Sequence, residues 1–210
     1  VRVALFSTGD ELVMPGTVAP ADMPPGAIYN SNRFFLRSLL KRLGCEVTDL
    51  GIVPDKFEAT LSVLRDAASH HDLVLTSGGV SVGEEDHIKP AVQVLGRLDL
   101  WQLAIKPGKP FAYGRVQDAH FIGLPGNPVS VMVTFYQFVR DALLKLSGRD
   151  PVPALPTFRV PCTTALKKAP GRTEFQRGVL TQDVNGSWSV AVTGEQGSGI
   201  LRSMCEANCF

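Results

Sequence analysis

The sequence predicts an α/β fold, a mostly parallel sheet sandwiched by helices, followed by a small, incomplete all-β domain of barrel-like character. Three observations predict it. Over residues 1–150, short β-branched runs alternate with amphipathic helical stretches, the pattern of a parallel sheet covered on both faces. The segment Pro151-Val152-Pro153-Ala154-Leu155-Pro156 then reads as a stiff linker over 151–156. Over 157–210 the apolar period drops to two.

Val1 to Phe6 forms the first strand, followed by Ser7-Thr8-Gly9-Asp10-Glu11. A helix starts at Ser31, with Phe34, Phe35, Leu39, Leu40 and Leu43 along one stripe and Gly44 as its stop. A strand runs from Val47 to Val53. Asp55 and Glu58 give a helix-start signal, and Leu61, Leu64 and Ala68 share a face of the helix that follows. Leu73-Val74-Leu75 is a buried strand and Ile88 to Leu95 a short helix. Leu98 to Ile105 and Phe111 to Val116 bracket the loop Lys106-Pro107-Gly108-Lys109-Pro110. Phe121 to Leu124 is a strand, and Pro128 to Leu146 a long helix ended by Gly148. In the β region the strands are Phe158-Val160-Cys162, Glu174 to Leu180, and Trp188-Val190-Val192, with Asn185-Gly186 as a hairpin turn. The start without methionine and the finish on Cys209-Phe210 lead us to expect a fragment.

Charge is balanced, with 21 Lys plus Arg against 20 Asp plus Glu, so no global field draws the chain to nucleic acid or membrane. No apolar run approaches the roughly 18 residues of a membrane span. The four cysteines (Cys45, Cys162, Cys205, Cys209) contain no C-x-x-C, and Cys205 and Cys209 read as small residues on one strand face. The four histidines match no metal-ligand spacing. A reducing, cytoplasmic setting is the default.

Chemistry concentrates in the loops. Thr76-Ser77-Gly78-Gly79-Val80-Ser81-Val82-Gly83 and Gly123-Leu124-Pro125-Gly126-Asn127-Pro128-Val129-Ser130 both run from a strand into a helix. In an open parallel sheet such loops gather at the carboxyl edge, where ligands bind. Glycine lets backbone N–H groups approach a ligand, and the next helix offers its positive end; Asn127 fits an N-cap and Pro128 the first helical position. Ordinary tight turns are the alternative. The two ammonium groups of Lys106 and Lys109 suit phosphate oxygens, against the alternative of a solvated turn. Glu11, Asp55 and Asp86 each follow a strand. Two carboxylates about 4 Å apart repel by roughly 4 kcal/mol at an effective dielectric near 20, so a carboxylate cluster calls for a cation, and oxygen ligands point to Mg²⁺. Helix capping is the alternative for Asp55 and Asp86. Gly79-Val80-Ser81-Val82-Gly83 matches G-x-S-x-G, but its serine stands too far past the strand for a nucleophile elbow.

Taken together, Ser7-Thr8-Gly9-Asp10-Glu11-Leu12, Ile28-Tyr29-Asn30-Ser31-Asn32, Gly51-Ile52-Val53-Pro54-Asp55, Ser77 through Asp86, the K-P-G-K-P loop, G-L-P-G-N-P-V-S, Gly171 through Gly178 and Gln196-Gly197-Ser198 resemble the molybdopterin molybdenumtransferases, the MoeA and gephyrin E-domain family. The resemblance implies a MogA-like molybdopterin-binding domain over 1–150 and most of a C-terminal β-barrel from 157. It implies a homodimer that takes adenylylated molybdopterin and molybdate and, with Mg²⁺, cleaves the pyrophosphate, releases AMP and joins molybdenum to the dithiolene. Molybdopterin adenylyltransferase and molybdoenzyme-maturation proteins would be its neighbours in the pathway. By position, Glu11, Asp55 and Asp86 would bind the cation or molybdate, and Lys106 and Lys109 phosphate or oxyanion. Ser77, Gly78, Gly79, Pro125, Asn127 and Pro128 would cradle the pterin, with Arg177 and Ser198 reaching in from the β domain. Gln102 and Asn30 depart from the family, relatives carrying a lysine and an acid there. A molybdopterin adenylyltransferase shares the α/β domain but lacks the β domain and the K-P-G-K-P loop. A gephyrin-like scaffold for a partner peptide is the reading from another class.

Overall fold

The computed structural model describes residues 1–80 and 87–210. The α/β domain opens with β1 (Arg2–Thr8), β2 (Leu12–Val13), a 3₁₀ turn at Pro20–Asp22, β3 (Ile28–Tyr29) and α1 (Asn32–Arg42). It continues with β4 (Glu46–Val53), α2 (Phe57–His70), β5 (Leu73–Ser77) and α3 (Ile88–Leu95), then β6 (Gly96–Trp101), β7 (Ile105–Lys106), β8 (Ala112–Val116) and β9 (Ala119–Leu124). The long C-terminal helix is α4 (Pro128–Thr134), a π turn (Phe135–Val139) and α5 (Arg140–Leu146) in one run.

The main sheet has the order β4-β1-β5-β9-β8-β6. β4, β1, β5 and β9 are parallel, and β8 is antiparallel to both β9 and β6. The antiparallel pairing anticipated around Phe111–Leu124 is therefore the β8–β9 hairpin. Alternation along the strands sorts the core into two layers. Ala4, Phe6, Val74 and Phe121 face α2 and α3 through Leu64, Ala67, Ile88 and Val92. Val3, Leu5, Leu73, Leu75, Ile122 and Leu124 face α1 and the C-terminal helix through Leu36, Leu40, Val131 and Phe135. β5 is buried at every position, as a central parallel strand covered on both faces must be.

Beyond α5 the regular elements are β10 (Thr173–Glu174), β11 (Gly178–Gln182), β12 (Trp188–Val192) and α6 (Arg202–Glu206). β11 and β12 form the expected hairpin around Asn185-Gly186. Three expectations are corrected here. Phe158–Cys162 is no strand; it reaches the hairpin only through a bridge from Cys162 to Val190, and Phe158 stays 75% exposed. Glu174–Leu180 is not one strand, because β10 pairs with β7 of the other domain while β11 pairs with β12, and the chain turns between them. Cys205 lies exposed in α6 while Cys209 bridges to Gly178, so the two share no strand face. Among the described residues no helix is long and apolar enough to cross a membrane.

His120 at the start of β9 sits between Arg115 and Tyr113. The Arg115 guanidinium donates to Nε2 at 3.0 Å, which leaves Nδ1 to donate to the Tyr113 hydroxyl oxygen at 3.0 Å. Burial first, and the Arg115 charge second, hold the ring below the ordinary histidine pKa. The unfolded chain thus takes up this proton at a higher pH than the folded one. Its contribution is complete above about pH 6.5 and is lost as pH falls through the folded value. Urea midpoints measured at pH 7.5 and 5.5 should fall for the native chain and fall less for His120→Gln; equal losses would remove His120 from the acid sensitivity.

Candidate functional site

Pairing registers line up one row across the whole main sheet: Gly51, Phe6, Thr76, Gly123, Ala112 and Trp101. The loops after β1, β4, β5, β6 and β9 all emerge just beyond that row, on the carboxyl edge. Glu11, Asp55, the Gly78-Gly79 turn, Lys106 and Asn127 therefore share one rim. Glu11 and Asp55 follow β1 and β4 at one side of the sheet, whereas the lysine loop joins β7 to β8 toward the other and folds back over α4, where a Cβ on Gly108 would lie 2.8 Å from Thr134.

The middle of the rim is the most closely built part. Gly78 runs at φ +92°, and a Cβ there would lie 2.4 Å from the Thr8 carbonyl oxygen; one on Gly79 (φ +66°) would lie 2.6 Å from the Thr8 hydroxyl. No side chain fits at either position. Asn32 at the start of α1 donates through one amide nitrogen to Ser77 Oγ at 2.8 Å and to the Gly126 carbonyl at 2.6 Å, tying the loop after β5 to the loop after β9. At the ends of β1 and β5 and the entry to α1, Ser7 Oγ, Thr8 Oγ1, Asn30 Nδ2, Asn32 Oδ1 and Thr76 Oγ1 are buried with no hydrogen-bond partner among the described residues, Ser7 on the α1 face of the sheet and Thr8 and Thr76 on the α2 and α3 face. A buried polar atom left unpaired costs about 1–3 kcal/mol, so this end of the strands holds polar groups able to bond a ligand.

Each anticipated site residue has a definite place. Ser77 is buried and engaged by Asn32, and the Gly78 N–H donates to the Leu124 carbonyl at 3.1 Å. The exposed Glu11 folds its carboxylate over Gly9, and Asp55 is half-buried beyond β4. Asp86, with Ser81 of the G-x-S-x-G match, lies outside the described residues. Pro125 is buried. Asn127 occupies the N-cap of α4 and Pro128 its first position, but the Asn127 side chain makes no capping bond. Instead the Ser198 carbonyl accepts from the Val129 N–H at 3.0 Å. Ser198 thus binds through its backbone, and it closes part of the helix terminus expected to cradle an anion.

One further reading is corrected. Arg177 does not reach toward the rim in this chain: it is 1% exposed, and its guanidinium donates to Ser203 Oγ (3.0 Å) and to the carbonyls of Glu195 (3.0 Å) and Gly197 (3.1 Å). The physical reason is the turn between β10 and β11, where Gln196 bonds both the N–H and the carbonyl of Arg177 and swings its side chain inward. Burial lowers the Arg177 pKa, the usual penalty on an enclosed charge. The two lysines have different neighbours: Lys106 lies 4.0 Å from the Glu174 carboxylate, and Lys109 lines a 410 Å³ recess with Gln102, Leu103, Ala104 and Arg172. A larger recess of 780 Å³ is at the opposite edge of the sheet, around Arg2, Asp72, Arg115 and His120, away from the loops after β5 and β9.

The sequence reading assigned no role to Asn32, Thr8, Arg172 or Glu174. Asn32 and Thr8 lie inside the quoted motifs, so their polarity at a strand end and a helix start was the available signal.

Comparison with known proteins agrees with this geometry. Residues 4–145 match the family described as probable molybdopterin binding domain, and residues 159–210 match the MoeA C-terminal region, domain IV. The chain belongs to the molybdopterin-binding family, in its MoeA branch. A molybdopterin molybdenumtransferase of Haemophilus influenzae is 45% identical over 210 residues, covering 100% of this chain and 51% of that protein. The molybdenum cofactor synthesis protein cinnamon of Drosophila melanogaster is 32% identical, covering 99% of this chain and 34% of that protein. Among solved structures, a molybdopterin biosynthesis MoeA protein of Pyrococcus horikoshii superimposes with a TM-score of 0.80 at 28% identity, over 98% of this chain and 48% of that one. The chain spans between about a third and about half of the length of these relatives.

Arg177→Ala should cost about 3 kcal/mol, because the largest fully buried side chain is lost together with its bonds to the buried Ser203 hydroxyl and two part-buried carbonyls. The loss should appear in hydrogen exchange as deprotection of β11 and β12 at a urea concentration where β1 and β5 stay protected. Unchanged unfolding would show that Arg177 does not hold the β domain together.

Proposed function

We propose that the chain carries the site of a molybdopterin molybdenumtransferase, which accepts adenylylated molybdopterin and molybdate, releases AMP and places molybdenum on the pterin dithiolene. The single observation that carries this reading is the cluster of unpartnered buried polar atoms around Thr8, Asn30 and Asn32, set against a glycine turn that admits no side chain.

In this reading the Gly78-Gly79 backbone and the Thr8 hydroxyl beside it receive the polar groups of the pterin and its phosphate. Asn32 fixes the distance between the two loops that hold it. Lys109 and Arg172 offer ammonium and guanidinium donors to an oxyanion.

Mg²⁺ keeps several waters and commonly takes only one or two carboxylates together with substrate phosphates. The described residues fit that modest demand. They contain no group of three His, Cys, Asp or Glu side chains able to hold a metal, but Thr8 pairs with Val53, so Glu11 and Asp55 follow neighbouring strand ends. Asp86 belongs to the same proposal by sequence. A bound Mg²⁺ would neutralise pyrophosphate oxygens and the departing phosphate. A homodimer, a cytoplasmic location and pathway neighbours such as the adenylyltransferase that supplies the substrate are part of the proposal and rest on the resemblance.

The test is AMP release from adenylylated molybdopterin with molybdate and Mg²⁺, scored alongside reconstitution of a molybdoenzyme. Asp55→Asn should lower the rate by about a hundredfold, with far-UV circular dichroism unchanged. AMP at background from the folded native protein would overturn the reading.

A further inference from the structure

The ion pair at Lys106 is delivered by main chain rather than by chance contact between flexible side chains. β10 lies parallel to β7, with Thr173 opposite Ile105 and Glu174 opposite Lys106. The Thr173 N–H donates to the Ala104 carbonyl at 2.9 Å, and the Phe175 N–H to the Lys106 carbonyl at 2.8 Å. These two bonds cross between the domains and set the register of Glu174 on the lysine loop. Its carboxylate is only 12% exposed, against 58% for the Lys106 side chain, so the acid is enclosed while the ammonium faces outward. The second oxygen of the same carboxylate lies 3.6 Å from Lys168, 47% exposed. Gln176 Nε2, at 3.5 Å, completes its surroundings.

From this we infer that Glu174 is a positioning residue for Lys106: the β domain supplies an enclosed carboxylate that orders the outward-facing ammonium before any anion arrives. The inference rests on the function proposed above for the meaning of Lys106, but the coupling itself is a property of the two side chains. Lysine on its own is a flexible point charge, which loses rotamer freedom whenever it is ordered. A fixed counter-ion on the inner side takes up that ordering at folding and leaves N–H donors free on the outer side. Two ammonium groups around one carboxylate also keep the cluster net positive, so it still attracts an oxyanion.

The arrangement has a signature that a merely structural role lacks. Glu174 competes with an arriving anion for the Lys106 ammonium, so removing its charge should release that ammonium to the anion and tighten ground-state binding, while disordering the group that must be held in place. In Glu174→Gln, molybdate should bind about threefold more tightly by isothermal titration calorimetry, the range of a half-exposed ion pair. AMP release should slow about tenfold in kcat, the consequence of a misplaced positioning group. Glu174→Asp should recover part of the rate. In a Lys106→Gln background, Glu174→Gln should change molybdate affinity no further, because the residue it acts through is gone.

Tighter binding that persists without Lys106 would overturn the inference, as would kcat and affinity falling together with the folded fraction. A native protein that binds molybdate with the predicted coupling but releases no AMP would sink the proposed function and leave the Glu174–Lys106 relation standing.

Discussion

The parallel alignment of β4, β1, β5 and β9 is the constraint from which the rest of the structure follows. A parallel sheet with helices on both faces buries its strands completely, so it has no room for chemistry along their length. Polar groups can gather only where the strands stop. The row from Gly51 to Trp101 fixes that stopping line, and five loops leave it on the same side. Antiparallel β8 does not break the arrangement, since it runs back between β6 and β9, and both of those end on the same edge. The lysine loop thereby joins the rim although it lies on the far side of the sheet.

The β domain is then a component of the rim rather than an appendage behind a linker. It meets the α/β domain through main-chain hydrogen bonds at two places: β10 on β7, and the Ser198 carbonyl on the Val129 N–H. Backbone bonds transmit position with less slack than long side chains do. Arg177 stiffens the same region from inside by gathering Ser203, Glu195 and Gly197 around one guanidinium, whose forked donors suit three separate acceptors better than an ammonium would. The same charge cannot also face outward, which is why a residue matching a family motif by position contributes here through packing.

Much of this was legible in the sequence because the signals were local. Period-two and helical-period patterns found β1, β4, β5, β9, α1, α2, α3 and the helical run from Pro128 to Leu146, and Asn185-Gly186 found the hairpin. The glycine turns pointed to the rim because strand-to-helix junctions in a parallel sheet have only one edge to occupy. What was not legible depended on partners distant in sequence. The break between β10 and β11 arises because neighbouring residues pair with different domains, and no window of residues 174–180 contains that fact. The inward turn of Arg177 depends on Gln196, 19 positions away. The carboxylate beside Lys106 is Glu174, 68 positions further along the chain. Asn32 illustrates the remaining gap: a polar residue at a helix start reads as a cap, whereas here its amide joins the loops after β5 and β9 on the carboxyl edge.

The distribution of charge along the rim limits what can occupy it. Glu11 and Asp55 stand beyond β1 and β4, while Lys106, Lys109 and Arg172 stand beyond β6 and β8, with the unpartnered polar atoms between them. A ligand seated on those central polar groups meets carboxylates toward β4 and cations toward β8, so an anionic extension is favoured at the lysine end. There the β domain adds an enclosed carboxylate, Glu174, beside Lys106. Its position is set by the backbone pairing of β10 with β7, so the charge at this end is arranged by the fold itself.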